Sequence, residues 1–162
     1  MPWCDTQARF ELEAPGRRMS CRAVVRRISD QQVRLALLAD EGPLLADLTA
    51  SAEGVVEHAS IDELRSVLPA LGRLVFQAWG QPGEQRAMED DRVLAVAGKV
   101  QRWYGGDPLM LRRVAGGGAD IAIGDYRLVG SGLVAHQAEA SGLAFAFRIK
   151  LQDIRVTRVL PR

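Results

Sequence analysis

The chain has 162 residues, of which 21 are Lys or Arg and 20 are Asp or Glu, giving a formal net charge of +1, with hydrophobic residues at 48% and charged residues at 25%. That length suits one domain with a substantial core, and the composition excludes a disordered or fibrous chain. The small net charge argues against a general DNA or RNA binder, whose footprint is a strong basic excess.

Alternation of apolar and polar residues governs most of the chain. Phe10 and Leu12 alternate with Arg9, Glu11 and Glu13, as in a strand with one wet face, and Pro15-Gly16 then turns the chain. Arg22 to Ile28 and Val33 to Leu38 read as two further strands joined by a hairpin turn at Asp30-Gln31, and Glu41-Gly42-Pro43 closes that pair. Leu44 to Leu48 and Val55 to His58 are the next two strands, separated by a run of small residues.

Ser60-Ile61-Asp62-Glu63 has the form of a capping box. With Leu64, Val67 and Leu68 behind it, this predicts one short helix that Pro69 and Gly72 bring to an end. From Arg73 onward the period of two returns. LVFQAW reads as a strand, Gln81 to Asp91 as a polar loop, and Arg92 to Trp103 as a long strand interrupted by Gly98. Leu109 to Val114, Asp120 to Ile123, Tyr126 to His136, Leu143 to Ile149 and Ile154 to Val159 complete the set, with turns at Gly105-Gly106, Gly116 to Gly118, Gly124-Asp125 and Ser141-Gly142.

So many short strands with a single short helix predict a mainly β fold, an antiparallel barrel that closes on itself to dispose of its edges. A loose similarity between residues 8–38 and 119–149, each running strand, turn, strand, loop, strand, is compatible with two related halves. Residues 1–162 are read as one domain.

Cys4 and Cys21 form no C-x-x-C pair and are too few for a disulfide scaffold, so free thiols and a cytoplasmic location are expected. No stretch approaches about 18 apolar residues, and the first residues lack a basic start followed by an apolar run, so neither membrane insertion nor a signal peptide is expected. His58 and His136 stand outside any metal-ligand spacing. No cofactor, metal or catalytic set is predicted, and the chain is read as non-enzymatic.

The candidate binding residues are Arg17, Arg18 and Arg22, followed by Thr49, Ser51 and Gly54 at the bend between two apolar strands. Arg18-x-x-x-Arg22 ahead of a strand, Thr49-x-Ser51-x-x-Gly54 at a turn, and a Gly-Lys-Val in a later strand resemble the PilZ family of small β-barrels. Thr49 stands where that family has Asp or Asn. The resemblance covers residues 16–104, leaving 105–162 as additional strands, and implies a receptor for cyclic di-GMP that acts on a partner protein. Arginine forks suit guanine O6 and N7 and stack on the base, while small residues at a turn admit phosphate.

An alternative is a structural subunit. ADIAIGDYRLVGSGLVAHQAEASGLAFAFRI looks like the closing strands of the SPOA domains of flagellar and type III secretion rotors. It also resembles the split barrels of contractile-tail hubs. That alternative implies self-association or assembly with other chains.

Overall fold

The computed structural model describes residues 4–14, 16–79, 85–89, 92–116, 119–129, 132–142 and 147–159. The chain order is β1 (Cys4–Ala14), β2 (Arg17–Ser29), β3 (Gln32–Leu38), β4 (Leu44–Ser51), β5 (Val55–Ser60), α1 (Asp62–Arg65), α2 (Leu68–Trp79), β6 (Gln85–Glu89), β7 (Arg92–Ala97), β8 (Val100–Gly105), β9 (Met110–Gly116), β10 (Ala119–Val129), β11 (Gly132–Gly142) and β12 (Phe147–Val159). The mainly β, antiparallel expectation holds.

The strands form one sheet in the order β5-β4-β3-β2-β1-β12-β11-β10-β9-β8-β7-β6. Successive strands are neighbours except β5 and β6, which form the two edges, and β12 pairs with β1 to join the two halves. Among the described residues β5 and β6 each have a single neighbour, so the sheet is open and the closed barrel is corrected. What hides the inner face is helix α2, which packs on β3, β4 and β5 and also reaches β10. Six strand steps separate β4 from β10, about 29 Å in a flat sheet at roughly 4.8 Å per step. A 12-residue helix is only about 18 Å long, so the sheet must curl around it.

The first hairpins follow the sequence reading. Ala14 pairs with Arg17 across the Gly16 turn, and Ser29 pairs with Gln32 across Asp30-Gln31, where the Gln31 N–H donates to Ser29 Oγ at 3.2 Å. Later elements depart from it. Gly98, with φ of +61°, reverses the chain, so the expected long strand is the hairpin β7–β8. Gly124-Asp125 is not a turn but the middle of β10, where Asp125 takes φ of +49° and Ile123 and Tyr126 both face inward. The expected loop 81–91 contains β6, and the two expected final strands are one, β12; residues 143–146 lie outside the described residues.

The helices differ most. Ser60 does not cap; its hydroxyl donates to Glu57 Oε1 at 2.5 Å, and Ile61 holds the cap position of α1 with no side-chain bond. LVFQAW is the second half of α2, not a strand. Leu68, Leu71, Leu74, Val75, Phe76 and Trp79 are all buried, the i, i+3, i+4 pattern of a helix with a wide apolar face. Pro69 stands in the first turn, where its missing N–H breaks no helical bond.

The core follows from the register. Ala95, Arg102, Val114, Ile121, Ala140, Ile149, Leu12 and Met19 are successive cross-strand partners from β7 round to β2. A second row runs Leu48, Leu35, Val25, Thr6. Each fully buried Leu or Phe of such rows contributes about 1.5–3 kcal/mol. Thr6 satisfies its hydroxyl by donating to the Val25 carbonyl at 3.3 Å.

Candidate ligand-binding site

One residue breaks the long apolar row. Arg102, on β8, is 1% exposed, and it donates from Nε at 3.2 Å and from Nη2 at 3.0 Å to the backbone carbonyl of Gln77. That carbonyl belongs to the last turn of α2, where helix carbonyls lack intrahelical partners and carry partial negative charge. A buried guanidinium is expensive to desolvate, and here the helix end offsets part of that. The same bond fastens the end of α2 to the half of the sheet farthest from its first contacts on β3 to β5.

Two more polar atoms are buried on this turn. Trp79 Nε1 and Gln77 Oε1 have no hydrogen-bond partner among the described residues. Buried polar groups are nearly always paired, so the end of α2 holds an open donor and an open acceptor on the same turn as the carbonyl that Arg102 engages. An apolar interior with a few polar groups is the lining that an amphipathic small molecule requires. Arg102 is not legible in the sequence, because nothing in VQRWYG tells an inward arginine from an outward one.

The expected site is arranged differently. Arg18 faces Glu13, Arg22 faces Arg9 on one side and Leu38 on the other, and the backbone of Arg17 faces Ala14. Thr49 lies between Arg34 and Val56, and Ser51 opposite Gln32, itself opposite Ser29. Arg22 is seven positions along β2 from Ser29, about 23 Å at roughly 3.3 Å per residue. The arginines and the Thr49 to Gly54 bend therefore lie at opposite ends of the strands. The bend also bonds to itself: Ser51 N–H donates to the Gly54 carbonyl at 2.8 Å, Glu53 N–H to Ser51 Oγ at 3.2 Å, and Thr49 Oγ1 lies 2.8 Å from His58 Nε2.

Among the described residues no group of three His, Cys, Asp or Glu is placed to hold a metal, and no helix is long and apolar enough to cross a membrane. Cys21 is a free, buried thiol whose pKa burial pushes up to about 11, with Asp40 adding to the rise.

No protein-family model matches the sequence, and no curated protein matches it. Solved structures do. A domain from Vibrio parahaemolyticus named for outer-membrane lipoprotein sorting superposes with a TM-score of 0.57 at 9% identity, over 99% of this chain and 88% of that one. A LolA-superfamily protein from Nitrosomonas europaea gives 0.58 at 8% identity, over 99% and 89%. The fold is LolA-like. A DUF1329-family protein from Desulfovibrio piger has a related structure, with a TM-score of 0.50 at 11% identity over 99% and 88%.

A LolA-like fold overturns the resemblance to PilZ and with it the cyclic di-GMP receptor. Nor is the rotor or tail-hub alternative supported, since these three structures match over 99% of the chain and are of neither architecture. The PilZ motifs were short strings that a β-hairpin with an arginine-rich outer face produces unaided. The cytoplasmic expectation is also corrected: it rested on two thiols, and the fold is one shared with a domain named for outer-membrane lipoprotein sorting.

Proposed function

We propose that the protein is a non-enzymatic carrier of an apolar chain, of the acyl type borne by lipoproteins and lipids. Residues 1–162 act in this as one domain. The cargo's hydrocarbon lies against the inner face, under α2, and its polar end meets Arg102, Trp79 Nε1 and Gln77 Oε1.

The observation that carries this reading is helix α2 roofing an open, curled, apolar sheet and joined to its far half through the Arg102 bond to Gln77. An open sheet can admit a guest by displacement of its roof, which a closed barrel cannot. The likeness to a domain named for outer-membrane lipoprotein sorting supports the same reading and a place in the cell envelope. A carrier of this kind hands its cargo between partner proteins.

Titration with a fluorescent hexadecanoic acid, followed by displacement with a triacylated cysteinyl peptide, tests it. Saturable binding of about one probe per chain, competed by the lipopeptide and abolished by urea, is expected. A non-saturating signal, or one that survives unfolding, contradicts the reading.

A further inference from the structure

The outer face carries charge that its own sheet leaves uncompensated. Arg9 on β1 and Arg22 on β2 are direct cross-strand partners, which sets their Cβ atoms about 4.5–5.5 Å apart, and like charges so placed repel. On the other side of β1, Arg155 stands opposite Gln7, two residues from Arg9 across a register shift. Gln7, the three arginines and Asp40 line a cleft of about 270 Å³.

Elsewhere on this face arginine is matched with acid. Arg34 pairs with Asp47, Arg113 with Asp120 and Arg127 with Asp125, each at 2.5 Å. In the cleft, Arg9 reaches Glu11 at 3.5 Å through open solvent, and among the described residues no ion pair joins Asp40 to Arg22 or Arg155. Arg9, Arg22 and Arg155 come from three adjacent strands, and against Asp40 and Glu11 they leave an excess of one positive charge, with Arg22 and Arg155 in no ion pair among the described residues.

The geometry points to a phosphate-binding site in this cleft, held by Arg9, Arg22 and Arg155. A phosphomonoester is anionic and has three strongly accepting oxygens, so guanidinium forks from three strands can each engage it. A carboxylate offers one planar edge and leaves the other forks open. Because Arg9 and Arg22 alternate with the inward residues Ala8, Phe10, Cys21 and Ala23, they lie on the opposite side of the sheet from the inner face proposed for the acyl chain, and the site stands or falls without that reading.

Thermal unfolding is measured in sodium phosphate and in sodium chloride of equal ionic strength, for the wild type and for Arg22→Gln and Arg155→Gln. Both changes are on the exposed face, and if one variant fails to fold the other carries the test. At phosphate about ten times its Kd, the wild-type Tm should rise by roughly 3–6 °C over the chloride control, and either variant should lose most of that rise. Equal Tm in the two salts, or a rise that persists in a folded variant, overturns the site.

Co-sedimentation with phosphatidic acid vesicles, against pure phosphatidylcholine, separates the sources. Arg22-dependent retention on phosphatidic acid assigns the phosphate to a lipid headgroup, and a Tm rise without retention assigns it to a soluble phosphate. Binding of the hexadecanoyl probe should be unchanged in both variants.

Discussion

Gly72 of α2 lies so close to Val55 of β5 that a Cβ built on it would meet both Val55 methyls at 2.7 Å and Leu48 Cδ1 at 3.2 Å. The helix can seat on the sheet edge only because this position has no side chain. Mid-helix glycine costs about 1 kcal/mol relative to alanine, so the chain gives up helix propensity for approach.

Gly72→Ala should therefore destabilise rather than stabilise. Overpacking costs about 1–3 kcal/mol, against about 1 kcal/mol gained in propensity. Urea denaturation of Gly72→Ala, Val55→Ala and the double variant checks this. The double variant should recover part of the loss in Gly72→Ala, and simple additivity contradicts the contact.

This glycine also explains how the helix escaped sequence reasoning. Pro69 and Gly72 are stop signals in most contexts, and Arg73-Leu74-Val75-Phe76-Gln77-Ala78-Trp79 can be parsed with a period near two. The competing spacing of Leu68, Leu71, Val75 and Trp79 was present, but only the contact with Val55 shows why a glycine belongs inside. The β1–β5 hairpins were legible because each turn carries its own chemistry, as Gly16, Asp30-Gln31 and Gly54 do. Neither Arg102 beside Gln77 nor Arg9 beside Arg22 was legible, since both depend on register between segments distant in sequence.

The Arg34–Asp47 pair predicts a pH effect. Asp47 accepts from Arg34 Nε at 2.9 Å and Nη2 at 2.5 Å. Its carboxyl is held below the usual range, chiefly by that hydrogen bonding; burial opposes this, and the charges of Arg34 and His58 add to it. A depressed folded-state pKa means stability that is full above the unfolded value of about 4 and lost as pH falls through the folded one. Asp47→Asn should cost about 1–2 kcal/mol at pH 7, with the gap to wild type narrowing at pH 3. A gap that does not change with pH contradicts the assignment.

Arg102→Met replaces a buried cation with an apolar chain of similar length. Such replacements can be nearly neutral for global stability, but the Gln77 carbonyl loses its partner. Hydrogen exchange should speed up at the amides of Phe76 to Trp79 by about tenfold, the factor for a 1.4 kcal/mol bond, while strand amides of β3 and β4 stay protected. Unchanged exchange at the helix end would show that the bond does not fasten it.

Cys21 offers a probe of opening. Burial holds the thiol neutral at pH 8, with a pKa of about 11, so iodoacetamide should leave the peptide containing it unmodified in native protein and alkylate it in urea. Rapid native modification, read by mass spectrometry, contradicts the buried assignment.

The most direct measurement of the carrier account is photo-crosslinking with a diazirine-bearing hexadecanoic acid, with modified residues mapped by mass spectrometry. The account predicts saturable labelling of inward residues of α2 and the inner strand faces, such as Phe76, Leu35 and Ile121, competed by the triacylated peptide. Labelling confined to outward positions of the same strands, or none above that of unfolded protein, contradicts it.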